Sequence, residues 1–253
     1  MKFDKIIANS TDKTLYLDDS NGVKKCVKVF GEGYSKADVL NEALNQARIE
    51  ETGLNVPRLL NVTVEDEKWA IISEYIEGKT LEELMREEPQ RKNEYIGLLI
   101  ELQMDIHSRS CPLLNKQKDK MIRKLAETDF DATTRYDLHN RLESMPKHRK
   151  ICHGDLTPSN IIIDGNGTPY IVDWSHATYG NASADVARTY LMFWMNGDIS
   201  GAELYLDTFC QRSNTEKGYV KAWMPIVAAA QSVGCRDEER EFLMSWVNDA
   251  NRY

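Results

Sequence analysis

Residues 151–164 read ICHGDLTPSNIIID. Two short apolar runs, Ile151-Cys152 and Ile161-Ile162-Ile163, flank a polar loop that holds His153, Gly154, Asp155, Pro158 and Asn160. Turn formers between apolar runs describe a loop joining buried strands. The acids ask for more than a loop. Asn160 follows Asp155 by five residues, and Asp173 follows Asn160 by thirteen, at the end of the apolar run in YIVDWSHA. Between them, Asn166-Gly167 in DGNGTP marks a hairpin turn. In an antiparallel hairpin the start of one strand adjoins the end of the other, so Asn160 and Asp173 meet. A carboxylate beside an amide oxygen suits magnesium, which takes few protein oxygens and leaves the rest to water and phosphate. Asp155 can accept or orient a hydroxyl proton. Singly, each residue fits an ordinary role at a turn or strand end. The three at this spacing point to a site.

Upstream, the texture is that of strands. FDKIIA (3–8) and TLYLD (14–18) are followed by an Asn21-Gly22 turn into VKKCVKVF (23–30). The expected element is a three-stranded antiparallel meander. Its third strand puts Lys25, Val27 and Val29 on one face and Cys26, Lys28 and Phe30 on the other. A helix comes next. Ser35 and Asp38 have capping-box spacing, and Val39, Leu40, Ala43, Leu44 and Ala47 form an apolar stripe. Gly53 and Pro57 close it. Two further strands, 58–65 and 69–76, are joined by the acidic turn Glu65-Asp66-Glu67.

After Gly78 the periodicity turns helical, from Thr80 to about Glu143 and again from about Ser183 onward, as in VARTYLMFWM, AWMPIVAAA and EFLMSWV. Strands segregated from helices indicate an α+β class. The expected organisation is a β-rich lobe with one helix over 1–76 and a larger, mainly helical lobe over 77–253.

Bulk properties exclude several function classes. The chain has 253 residues, enough for one large domain or two lobes, and its net charge of −8 disfavours nucleic acid or an anionic membrane as partner. No 18-residue apolar run crosses a membrane and the N-terminus lacks an apolar h-region. The five cysteines have no CxxC spacing, which fits reduced thiols in a cytoplasmic protein. The five histidines show no paired metal-ligand spacing, so a structural zinc site is not expected.

HGDLTPSN followed by IVDWSHA resembles the catalytic loop and metal-binding Asp of the aminoglycoside phosphotransferase and choline kinase family, which are relatives of protein kinases. The resemblance implies a two-lobed kinase-like fold, ATP or GTP as phosphate donor, and Mg²⁺. It implies that Asp155 is the catalytic Asp and that Asn160 and Asp173 hold the metal. It further implies that Lys28 contacts the α- and β-phosphates and that Glu42, fourteen residues on, pairs with it. IISEYIEG resembles the family's hinge, which makes Ser73 the gatekeeper and gives the Glu74 carbonyl and Ile76 amide to adenine. Asp185 in GNASADVART would accept hydrogen bonds from the catalytic-loop backbone, while His107 is read as packing.

The chain also departs from the kinase pattern. NSTDKT replaces a G-x-G-x-x-G loop, leaving Ser10 and Thr11 as candidate phosphate contacts. HGD replaces HRD, Trp-Ser follows Asp173, and only eleven residues separate Asp173 from Asp185. These departures point to a small-molecule acceptor over a peptide. Two acceptor readings are carried forward. Acids such as Glu203, Asp207, Asp237, Glu238 and Glu239 would hold a polyamine. Tyr190 and Trp194, one helical turn apart, would instead face a quaternary ammonium. A sugar or amino-alcohol hydroxyl fits equally. An idle kinase-like binding module is the contrasting class, but it would lack one of Lys28, Asp155 or Asn160.

Overall fold

The computed structural model describes residues 5–10, 12–20 and 22–248. Thr11, and Asn21 of the expected turn, lie outside the described residues. The chain forms two compact units. The first contains the residues up to Leu84 together with Ser159–His176, and the second contains Met85–Pro158 and the residues from Ala177 onward.

The first unit is built on a five-stranded antiparallel sheet of β1 (Lys5–Asn9), β2 (Lys13–Asp18), β3 (Lys25–Phe30), β4 (Leu59–Glu65) and β5 (Lys68–Glu74). Its order is β1-β2-β3-β5-β4, so the meander holds and β3 sits at the centre. The β4–β5 turn is tight, with Asp66 and Glu67 both left-handed at φ 47° and 66°. One helix, α1 (Lys36–Glu50), crosses the sheet. Its capping box is formed in both directions: Ser35 Oγ accepts the Asp38 N–H, and the Asp38 carboxylate accepts the Ser35 N–H. Ser35→Ala is expected to cost about 1 kcal/mol of stability, read as a lower denaturant midpoint.

The buried face of α1 differs from the expected stripe. Val39 and Ala43 pack with Phe30 and Ile71, but Leu40 and Leu44 are 42% and 46% exposed. Glu42 and Asn45 turn inward in their place. Hydrogen-bond partners offset the burial of these two polar groups: Glu42 meets Lys28, and Asn45 Nδ2 donates to the Trp174 carbonyl at 3.2 Å.

The hairpin expected after the polar loop is present as β8 (Ile161–Asp164) and β9 (Pro169–Ile171). Asp164 Oδ1 accepts the Asn166 and Thr168 N–H groups, each at 2.8 Å, and Gly167 has φ 83°. A third strand, β6 (Gly78–Thr80), pairs with β8. Gly78 makes this approach possible, because a Cβ there would lie 2.1 Å from the Ile163 carbonyl oxygen. Thr80, expected to begin the helical region, belongs to this strand.

The helix α2 (Leu81–Glu87) begins in the first unit and ends in the second, whose helices are α3 (Lys92–Ser108), α4 (Gln117–Glu127), α5 (Ala132–Ser144), α6 (Ala182–Met195), α7 (Ile199–Ser213), α8 (Lys217–Ser232) and α9 (Asp237–Asn248). Among these, α6 packs on α7 and α8, and α8 packs on α4 and α9. A two-stranded ribbon, β7 (Lys150–Cys152) with β10 (Thr178–Gly180), leads into the polar loop and out of the Asp173 segment. No helix of the described residues is long and apolar enough to cross a membrane.

Candidate active site

In the first unit, the central strand and α1 bring three charges together. Lys28 Nζ donates to Glu42 Oε1 at 2.5 Å and to Asp173 Oδ1 at 3.2 Å. The Lys28 and Glu42 side chains are 13% and 11% exposed, while Asp173 keeps 31%. Burial works against charge on Lys28, but Asp173 and Glu42 outweigh it and raise its pKa above the ordinary lysine range. Burial likewise works against charge on Asp173, yet Lys28, then Lys13 and the Ser175 hydroxyl hold its pKa well below the usual carboxylate range.

Asp173 has φ 61°, left-handed backbone that a non-glycine residue takes only under local compulsion. Asn160 stands at the other end of the hairpin, where its carbonyl accepts the Val172 N–H at 2.9 Å. The two expected metal residues are therefore brought together at the hairpin mouth. Ser10 lies at the exposed β1–β2 turn, bonded to the Lys13 carbonyl. Glu74 ends β5, its side chain 3.3 Å from Arg58 Nε, and Ile76 is half-buried just beyond.

In the second unit, the polar loop hangs on one buried carboxylate. Asp185 is 1% exposed on the first turn of α6. It accepts the Gly154 N–H at 2.7 Å and the His153 N–H at 3.2 Å. His107 Nε2 donates to it at 3.0 Å, and Gln103 Nε2 at 3.3 Å. Burial alone would raise the Asp185 carboxyl, but the His107 bond first, and the Gly154 N–H after it, bring it below its ordinary value. His107 is thus a hydrogen-bonded support of Asp185 as well as a packed ring.

Gly154 has φ 79°, which glycine adopts without a Cβ penalty. The HGD glycine therefore has a local conformational cause. Asp155 N–H donates to His153 Nδ1 at 3.2 Å, and Thr189 Oγ1 donates to the Leu156 carbonyl at 3.0 Å, so both sides of Asp155 are tied. Asp185→Asn offers one oxygen where two loop N–H groups and His107 now bond. It is expected to cost ~3 kcal/mol, read by chemical denaturation, and to lower turnover.

Arg188 was not anticipated as a site residue. It lies one helical turn after Asp185, and its Nη2 donates to Asp155 Oδ1 at 3.1 Å. The i, i+3 spacing in DVAR carried the signal, since residues three apart share a helix face. Tyr190 and Trp194 lie in an aromatic seam. Tyr190 is 2% exposed, its hydroxyl donates to Glu203 at 2.6 Å, and its ring meets Trp246 at 5.9 Å. Trp194 stacks on Phe242 at 5.7 Å.

Residues 5–223 match the family model described as the phosphotransferase enzyme family. The chain belongs to the phosphotransferase enzyme family. No curated protein matches it. Its kinase-like fold is similar to that of a thermostable mutant of aminoglycoside phosphotransferase APH(4)-Ia, with TM-score 0.73, 17% identity and coverage of 98% of this chain and 93% of that one. It is also similar to choline kinase LicA from Streptococcus pneumoniae, with TM-score 0.65, 17% identity and coverage of 100% and 94%. An aminoglycoside-3'-phosphotransferase of type VIII matches with TM-score 0.66, 15% identity and coverage of 89% and 93%. The family membership resolves the contrast drawn from the sequence in favour of an enzyme, a phosphotransferase.

Proposed function

We propose that this phosphotransferase moves the terminal phosphoryl group of ATP or GTP to a hydroxyl of a small molecule, with Mg²⁺ as cofactor. The observation that carries the reading is the Lys28 ammonium held between Glu42 and Asp173. It is a fixed cation whose partners keep it protonated, suited to the α- and β-phosphates. Related structures include a ternary complex with ADP and hygromycin B, one with AMP-PNP and hygromycin B, and LicA with AMP, which supports a nucleotide donor and a small acceptor here.

The donor set fits magnesium. Asp173 is held ionised and partly exposed, Asn160 adds an amide oxygen, and no group of three or more His, Cys, Asp or Glu among the described residues competes as a softer metal site. Asn160 and Asp173 would hold the ion, which when bound neutralises phosphate charge. In the transfer, the Asp155 carboxylate takes the proton from the acceptor hydroxyl. The acceptor oxygen forms a bond to the terminal phosphorus as the bond to the β-phosphate bridging oxygen breaks. The nucleoside diphosphate leaves with that electron pair. Catalysis rests on positioning and on charge placed before the reaction begins.

The testing experiment is nucleoside diphosphate release from ATP and GTP against a panel of aminoglycosides, amino alcohols, amino acids and sugars. Stimulation by a small hydroxyl compound is expected. Transfer to a generic peptide with none to any small molecule would contradict the reading.

A further inference from the structure

The charges around Asp155 narrow the acceptor's chemistry. Arg188 reaches Asp155 from α6, with side chains 22% and 24% exposed, so this ion pair is partly open to solvent. Arg188 Nε is buried and makes no hydrogen bond. An unmatched guanidinium donor is costly, and the fork that carries it suits planar anions. Lys120 on α4 is a second cation in the same neighbourhood. Its electrostatic surroundings are Arg188, Lys124, Asp155 and Arg123. Burial first, and the Arg188 and Lys124 charges next, push its pKa down to about 8, with Asp155 opposing. Arg188 thus pairs with Asp155 directly, and Lys120 is near enough to feel both charges.

Three of the five acids expected to hold a polycation have partners of their own. Glu203 accepts from Tyr190 and from Lys217 at 3.0 Å, Asp207 accepts from Lys217 at 2.6 Å, and Glu239 is bonded to Arg236.

We propose that the acceptor carries an anionic group, a carboxylate or a phosphate, close to the hydroxyl that is phosphorylated, and that the Arg188 guanidinium is its recognition group. This rests on the role given to Asp155 above. A planar anion beside Asp155 would give the Arg188 guanidinium fork a second partner. A polycationic acceptor would add repulsion at the same place.

The test uses matched acceptors on the 253-residue protein: short hydroxy acids and sugar phosphates, each beside its uncharged amide or parent sugar, with choline and an aminoglycoside for comparison. Diphosphate release is expected to be stimulated by the anionic member of a pair over its neutral partner. Arg188→Gln is expected to raise KM for that anion about 10- to 100-fold and to change KM for the neutral partner within about 3-fold, with partial rescue by Arg188→Lys. Preference for choline, an aminoglycoside or the neutral members would overturn the proposal. So would an equal fall in kcat for every acceptor, which would assign Arg188 to the transferring phosphoryl group or to Asp155 itself. No release with any acceptor, together with unchanged basal hydrolysis in Asp155→Asn, would sink the phosphotransfer reading first and this proposal with it.

Discussion

Replacing Asp155 by Asn is expected to lower turnover by roughly 10²- to 10⁴-fold while nucleotide affinity stays within several-fold. The substitution is nearly isosteric, so the loop keeps its shape. Its anchors are loop backbone groups bonded to the Asp185 and Thr189 side chains, and these do not involve the Asp155 carboxylate. What disappears is the negative oxygen that takes the hydroxyl proton, and with it the charge partner of Arg188 at 3.1 Å. Steady-state kinetics with a responsive acceptor, alongside nucleotide titration, separates the two quantities. Unchanged turnover would remove Asp155 from the chemistry. A parallel loss of nucleotide affinity would move it to the donor side.

Asp173→Asn is expected to act on the other quantity. Mg²⁺-dependent nucleotide affinity should fall by about 30-fold or more, the effect of truncating one member of a desolvated charge set. Asn is preferred to Ala here because φ 61° places the residue in left-handed backbone, which Asn tolerates better. The substitution then reports on charge and not on strain.

Lys28 retains Glu42 in this variant, so the fold should survive. The wild-type charge set also has a defined pH window. Asp173 is depressed, so its contribution to stability is present above the unfolded carboxylate pKa of about 3.9 and is lost only as pH falls through its lower folded value. Lys28 is raised, so its contribution is present below about 10.4 and is lost only above its folded value. From this set, unfolding free energy should be flat between about pH 5 and 9, checked by denaturation across that range. Nucleotide affinity in Asp173→Asn equal to wild type would contradict the site.

Local signals in the chain carried much of this structure. The Ser35–Asp38 box, the Glu65–Glu67 turn and the Asn166-Gly167 hairpin are chemical instructions to a few neighbouring residues, and each is formed where its sequence says. Long-range partnerships were less visible. β6 is three residues with no periodicity to show, and its pairing with β8 depends on a glycine's close approach. The inward turn of Glu42 and Asn45 cannot be read from hydropathy, because the groups that offset their burial lie on β3 and beyond β9. His107 looked like packing because its partner Asp185 is seventy-eight residues away. Arg188 had a local clue in its spacing from Asp185, but its partner Asp155 lies thirty-three residues upstream. The Arg188–Asp155 pair was hidden from composition as well, because net charge describes the whole chain and not one pair.

The central claim is transfer of a phosphoryl group to a small-molecule hydroxyl under the control of Asp155. It is tested most directly by following the terminal phosphate of labelled ATP in the presence of Mg²⁺ and the acceptor panel, with wild type and Asp155→Asn side by side. The account predicts a phosphorylated small molecule formed one-for-one with nucleoside diphosphate by the wild type and nearly absent with the variant. Label found only in inorganic phosphate or protein, or equal product from both proteins, would contradict it.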